Sequence, residues 1–153
     1  MSQTIPLLSL ADTQKFAENL AARLSCGDVV TLAGDLGAGK TTFAQFLIQA
    51  LSPQPVEVTS PTFTILQTYQ VTLAGGATCE LYHYDLYRIE HPSALLELGI
   101  EDALSQVALI EWPERLGESR LPIALALSFT LADDGARSVT VQGDHKRWSD
   151  IAL

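Results

Sequence analysis

The nine residues from Gly34 to Thr42 read GDLGAGKTT, and this stretch decides the fold class. It fills all fixed positions of the phosphate-loop pattern G-x-x-x-x-G-K-[ST], namely Gly34, Gly39, Lys40 and Thr41. The run VVTLAG that leads into it is apolar and rich in β-branched residues, as buried strands are. The segment KTTFAQFLIQAL that follows has apolar residues at helical spacing and stops at SPQP. A loop between strand and helix is the context that nucleotide binding requires.

Each part of this loop has a physical role in holding a nucleoside triphosphate. The glycines let backbone N–H groups turn inward around the phosphates, and the start of the helix adds a partial positive charge. Lys40 is expected to reach the β- and γ-phosphates, and the Thr41 hydroxyl is placed to ligate Mg²⁺. The predicted nucleotide-binding stretch consists of Gly34, Asp35, Leu36, Gly37, Ala38, Gly39, Lys40, Thr41 and Thr42.

Periodicity along the rest of the chain predicts further helices and strands. A helix is expected over Ala11 to Leu24, with the capping pattern SLAD at its start and Gly27 at its end. Two hairpins are expected, one from TFTILQTYQV and TCELYHYDLY, the other from PIALALSFTLA and RSVTVQG. Between them, SALLELGIEDALSQ predicts one or two short helices, and VALIEW predicts a buried strand.

These elements predict one α/β domain over residues 1–153, with residues 144–153 left as a tail without assigned structure. The expected architecture is a phosphate-loop NTPase-like domain. Its sheet should combine parallel and antiparallel strands and be flanked by helices.

Composition narrows the class of partner. The net charge is −9, and the nine Lys and Arg residues form no run, which disfavours direct binding to nucleic acid or an anionic membrane. The chain shows neither an apolar run long enough to cross a bilayer nor a signal-peptide pattern. Cys26 and Cys79 lie far apart without metal-like spacing, so they predict free thiols in a reducing compartment. We therefore expect a cytoplasmic protein with no membrane association.

Two carboxylates are candidates for holding the metal or the attacking water. Glu111 ends the apolar run VALI, and α/β sheets bind ligands at the carboxyl ends of their strands. Asp85 ends the second strand of the first hairpin, and strand alternation places it on one face with His83 and Tyr87. Asp85 with Arg88 could equally form a structural ion pair. We expect His83 to be a hydrogen-bonded structural residue.

Two further residues have both a functional and a structural interpretation. Thr62 lies in TSPTFT, where it could offer oxygen to the metal as switch loops do, or simply precede a strand. Trp112, directly after Glu111, could pack over the site or belong to the core.

The blocks GDLGAGKTT, SPTFT, HYDLYR and IEWPER, in this order, closely resemble the TsaE (formerly YjeE) family of bacterial ATPases. The resemblance extends from the first predicted helix to the second hairpin. It implies an Mg²⁺-dependent ATP hydrolase, slow alone, that supports turnover of the TsaB–TsaD complex. TsaD transfers a threonylcarbamoyl group to an adenosine in tRNA, so tRNA would be reached only through the complex.

The same resemblance implies roles for individual residues. Thr41 and Glu111 would ligate Mg²⁺, and Lys40 and Asp85 would join Glu111 in catalysis. Thr62 would belong to a switch-like loop, and Thr13 and Arg137 would approach the nucleotide.

Two other functions use the same loop. A small-molecule or nucleotide kinase would need an arginine-rich lid and an acceptor pocket, and few arginines lie between the loop and Glu111. A module that senses ATP without hydrolysing it would not need either carboxylate.

Overall fold

The computed structural model describes residues 2–59, 61, 64–117, 121–148 and 151, and its centre is a seven-stranded sheet. The strands stand in the order β1-β7-β6-β2-β5-β4-β3. Their bounds are β1 Ser2–Leu7, β2 Val29–Ala33, β3 Leu66–Thr72, β4 Thr78–Asp85, β5 Val107–Glu111, β6 Leu125–Leu131 and β7 Arg137–Gly143. The four central strands β6, β2, β5 and β4 run parallel, and the outer pairs are antiparallel. The predicted mixed sheet and both hairpins are confirmed.

Two long helices cover one face of the sheet. Helix α1 spans Leu10–Ala21 and helix α2 spans Lys40–Leu51, the latter with the bounds that the sequence predicts. Phe43 of α2 packs between Phe16 of α1 and Phe129 of β6, with ring centroids 5.5 and 5.3 Å away. These contacts fix the start of α2, where the phosphate loop ends, against the sheet.

The first helix begins as predicted but ends earlier. The Ser9 side chain accepts a hydrogen bond from the backbone N–H of Asp12, as the capping pattern predicts. The helix stops at Ala21, however, so the expected end at Gly27 was wrong. Gly27 instead lies in the turn before β2, where its positive φ of 99° suits a glycine and its N–H bonds the Gln106 carbonyl.

Short helices cover the opposite face. Helices α3 Ala94–Glu97 and α4 Ile100–Ala103 flank Gly99, and a 3₁₀ turn spans Pro113–Leu116. They enclose a second apolar cluster that includes Tyr84 and Ile110. Helix α5, His145–Trp148, lies in the tail that the sequence left unassigned. It buries Trp148 completely in the cluster beneath α1 and α2.

The edge strand β1 was missed by the sequence reasoning. It pairs antiparallel with β7, with Ile5 opposite Val139. Only Ile5 and Leu7 of this strand are buried, and Pro6 lies between them. Two apolar positions separated by a proline are weak evidence for a strand. The structure accommodates the proline because β1 is an edge strand.

Cys26 and Cys79 form a disulfide, so the prediction of free thiols was wrong. A sequence separation of 53 positions hides their proximity, which the fold creates. Gln106 accepts a hydrogen bond from Gly27 through its carbonyl and one from Glu80 through its side chain. It thereby ties the turn before β2 to β4 across the start of β5. The reducing compartment was inferred from free thiols, so the disulfide removes that argument.

Within the described ranges, none of the helices is both long and apolar enough to cross a bilayer.

Candidate nucleotide-binding site

A cleft of about 760 Å³ opens at the carboxyl ends of the parallel strands. The phosphate loop forms one wall, and the start of α1, the end of β5 and the start of β7 form the others. The predicted site residues that line it are Thr13, Leu36, Gly37, Gly39, Lys40, Thr41, Thr42, Asp85, Glu111 and Arg137. Residues from both ends of the sequence therefore meet in a single cavity, large enough for a small-molecule ligand.

The loop backbone has the left-handed conformations that its glycines allow. Gly34 has φ of 137°, and a Cβ atom there would lie 2.4 Å from the carbonyl oxygen of Phe129. Gly39 caps the start of α2 with φ of 111°. Any other residue at Gly34 would collide with β6, so the close approach of loop and strand requires glycine.

Lys40 is buried at the bottom of the cleft. Its ammonium group donates a hydrogen bond to the Gly34 carbonyl and lies 3.5 Å from the centroid of the Trp112 ring. Burial lowers the pKa of Lys40 from its ordinary value, and the nearby carboxylates, Glu111 foremost, oppose that shift. The lysine is thus held inside the loop by contacts with a carbonyl dipole and an aromatic ring.

Asp85 and Glu111 lie side by side on neighbouring parallel strands. They are direct partners in the register of β4 and β5, and Glu111 is also opposite Leu32, just before the loop. Both are buried. The Asp85 carboxylate accepts a hydrogen bond from the backbone N–H of Tyr87. The fold thus gathers two carboxylates and the lysine at one end of the sheet, where α/β proteins bind ligands.

His83 contacts Glu111 directly. Its Nε2 lies 2.7 Å from Glu111 Oε2, and both side chains are almost completely buried. The expectation that His83 is hydrogen-bonded is confirmed. The sequence reasoning did not identify its partner, although strand alternation had put His83 and Asp85 on one face.

Trp112 packs over the site rather than into the core alone. It has φ of 60°, an unusual value for a bulky residue, and this turn follows immediately after Glu111. Its ring covers Lys40 and lies 4.9 Å from the Tyr87 ring. Of the two interpretations that the sequence left open, the structure favours an aromatic wall of the cleft.

Thr13 and Arg137 approach the loop from the two other walls. Thr13 lies near the start of α1, with its hydroxyl 3.5 Å from the Ser9 carbonyl. Arg137 begins β7, and its Nη2 lies 3.4 Å from the Gly37 carbonyl oxygen. An arginine beside the loop supplies a second positive charge where phosphates would lie.

Comparisons with known proteins show the family of this chain. Residues 7–139 match the family model described as threonylcarbamoyl adenosine biosynthesis protein TsaE. The chain belongs to the TsaE family. It is 38% identical to the TsaE protein of Rickettsia conorii over 92% of this chain and 78% of that protein. It is 37% identical to the TsaE protein of Bacillus subtilis over 84% of this chain and 78% of that protein.

A solved structure also resembles this TsaE family member. The crystal structure of Bacillus subtilis YdiB superposes with a TM-score of 0.72 and 31% sequence identity. The match covers 99% of this chain and 91% of YdiB. The fold predicted from the sequence is therefore confirmed, and the family resemblance with it.

The TsaE site fits a magnesium ion bound together with a nucleotide. Within the described part of the chain, no three His, Cys, Asp or Glu side chains form a metal cluster. Mg²⁺ commonly takes only one or two protein ligands and completes its shell with phosphates and water. Glu111 bonds His83 through Oε2 and lines the cleft. Thr41 lines the same cleft.

The nucleotide and metal roles of these residues stay predictions. Thr62, which the sequence assigned to a switch-like loop, lies outside the described residues. Asp35 and Ala38 belong to the loop but do not line the cleft, and Gly34 contributes through its backbone approach to β6.

Proposed function

We propose that this TsaE family member is an Mg²⁺-dependent ATPase that supports turnover of the TsaB–TsaD complex in threonylcarbamoyladenosine modification of tRNA. The observation that carries the proposal is the juxtaposition of the phosphate-loop lysine with two buried carboxylates in one cleft. Glu111 is buried with no arginine or lysine ion pair among the described residues, an arrangement that is costly unless a bound cation supplies the missing charge.

In this proposal each side chain has a distinct task. Lys40 and Arg137 offset the charge of the phosphates. Thr41 and Glu111 hold Mg²⁺, which offsets the remaining charge when bound. Asp85, beside Glu111 in register, orients the attacking water by accepting a hydrogen bond from it. Trp112 shields Lys40 from solvent and so strengthens its attraction to the phosphates.

The partners follow from the family rather than from a surface of this molecule. Its net charge of −9 disfavours direct tRNA binding, which agrees with tRNA being handled by TsaD. We propose a cytoplasmic location because the family takes part in tRNA modification. The cysteines do not support this location, since they form a disulfide.

The test is a reconstituted modification reaction. The reaction contains TsaB, TsaD, tRNA and a threonylcarbamoyl donor, with or without this protein. The number of modified adenosines formed per TsaD molecule is measured. Multiple turnover should require this protein, ATP and Mg²⁺. Full turnover without it would refute the proposed role.

The same reaction separates the two other functions. With radiolabelled γ-phosphate, the label should appear as free phosphate. Label on a small acceptor would indicate a kinase. Full support of turnover by a Glu111→Ala variant that still bound ATP would indicate a sensor.

A further inference from the structure

The strongest unused feature of the molecule is the buried pair of His83 and Glu111. His83 is 1% exposed, and its Nε2 bonds Glu111 Oε2 at 2.7 Å. A carboxylate can only accept, so Nε2 carries the hydrogen and Nδ1 is left as an acceptor. Nδ1 is buried and has no hydrogen-bond partner among the described residues.

This arrangement differs from that of a histidine that stabilises a core. Structural histidines usually satisfy both ring nitrogens, since an unpaired buried polar atom is destabilising. His83 satisfies only the nitrogen that faces Glu111. Among the described residues, the one hydrogen bond of its ring runs from β4 to Glu111, which ends β5 and lines the cleft.

The bond constrains the Glu111 side chain. The hydrogen bond from His83 to Oε2 favours carboxylate orientations that keep this contact, in a residue that lines the cleft. Glu111 is the last residue of β5. The next residue, Trp112, has a left-handed backbone conformation that turns the chain out of the strand direction. Backbone and side chain are thus both fixed at this position.

We propose that His83 is a positioning residue that presets the orientation of the Glu111 carboxylate for the metal ion. The inference rests on the proposed function, in which Glu111 ligates Mg²⁺. Outer partners that orient a ligating carboxylate commonly change metal affinity by about 10- to 100-fold when removed. His83 itself contacts neither metal nor nucleotide in this proposal.

Two substitutions distinguish the Nε2 donor from the mere presence of a polar side chain. His83→Gln can place an amide N–H near the position of Nε2, while the shorter side chain of His83→Asn cannot reach Glu111. His91→Asn is the matched control, because His91 is exposed and its ring bonds Ser93, away from Glu111.

The measurement is Mn²⁺ affinity in the presence of a non-hydrolysable ATP analogue, followed by electron paramagnetic resonance. His83→Asn should weaken the affinity by about 10-fold or more, and His83→Gln should stay within about threefold of wild type. Analogue binding in EDTA should be unchanged in both. Wild-type Mn²⁺ affinity in a folded His83→Asn protein would overturn the inference, as would equal losses in both variants.

Glu111→Ala separates this inference from the proposed function. If Glu111→Ala also leaves Mn²⁺ affinity unchanged, the metal role of Glu111 fails and the inference falls with it. If only Glu111→Ala weakens binding, His83 alone has been misassigned. Should His83→Asn not fold, the ¹⁵N spectrum of wild-type histidines decides: hydrogen on Nε2 is expected, and hydrogen on Nδ1 with none on Nε2 would overturn the inference.

Discussion

Two buried carboxylates at opposite ends of the parallel strands have different partners. Asp28 precedes β2 and accepts hydrogen bonds from both terminal nitrogens of Arg147 and from the Ser25 N–H. Glu111 ends β5, and among the described residues its carboxylate bonds only His83. The two are similarly buried, at 5% and 2% exposure.

This difference separates a carboxylate used for stability from one that we propose binds a metal ion. Asp28 is neutralised by its own chain, which attaches α5 to the turn before β2. Glu111 has no arginine or lysine ion pair among the described residues, and its charge is therefore available to a cation from outside. Burial without an ion pair is costly, so it is expected where a ligand supplies the missing charge.

The largest expected effect comes from Glu111→Gln. The change keeps the size of the side chain but removes the charge that would attract Mg²⁺. Hydrolysis of ATP in the presence of the partner proteins should fall by at least about 100-fold. The thermal midpoint should stay at or above that of wild type, because a buried charge without an ion pair has been removed. Activity near wild type would contradict the proposed metal role.

Asp28→Asn is the matched substitution at the other end of the strands. It removes the charge facing Arg147 and should lower the free energy of unfolding by about 3 kcal/mol, measured by urea denaturation. Hydrolysis per folded molecule should stay within about twofold of wild type, because surplus stability does not limit a folded enzyme. A large loss of hydrolysis with normal stability would show that the two regions are not separate.

A smaller effect is expected on the opposite face of β4. Tyr84 follows His83 but points away from the cleft, and its hydroxyl donates to the Leu98 carbonyl at 2.9 Å. Burial is the main cause that raises the pKa of Tyr84 far above its ordinary value. The buried Tyr84 hydroxyl therefore contributes fully to the free energy of unfolding below about pH 10. At higher pH this contribution is lost, because the tyrosine ionises in the unfolded state first.

Tyr84→Phe should accordingly cost about 1 kcal/mol of unfolding free energy near neutral pH. The difference from wild type should narrow above about pH 10, when measured by urea denaturation at successive pH values. Hydrolysis should not change. A constant difference across this pH range would refute the buried-hydroxyl explanation.

Much of the fold was predictable because its signals are local. The phosphate loop, α2 and both hairpins follow from a motif, helical spacing and turn residues that lie within a few positions of one another. The place of Glu111 in the cleft was predictable because a charge at the end of an apolar run is conspicuous. Strand β1 was not, since only Ile5 and Leu7 mark it.

The remaining features depend on which strands become neighbours. The bond from His83 to Glu111 requires that β4 pairs with β5 in one particular register. The disulfide requires the turn before β2 to lie over the start of β5 and reach β4. No spacing within the sequence specifies these contacts, because each joins segments brought together only by the completed sheet.

The most direct test of the central claim is the rate of phosphate release from Mg-ATP with and without TsaB and TsaD. We predict slow release by the protein alone and a marked increase with both partners. The increase should persist in Asp28→Asn and disappear in Glu111→Gln. A rate unaffected by the partners, or an equal increase in Glu111→Gln, would contradict the account.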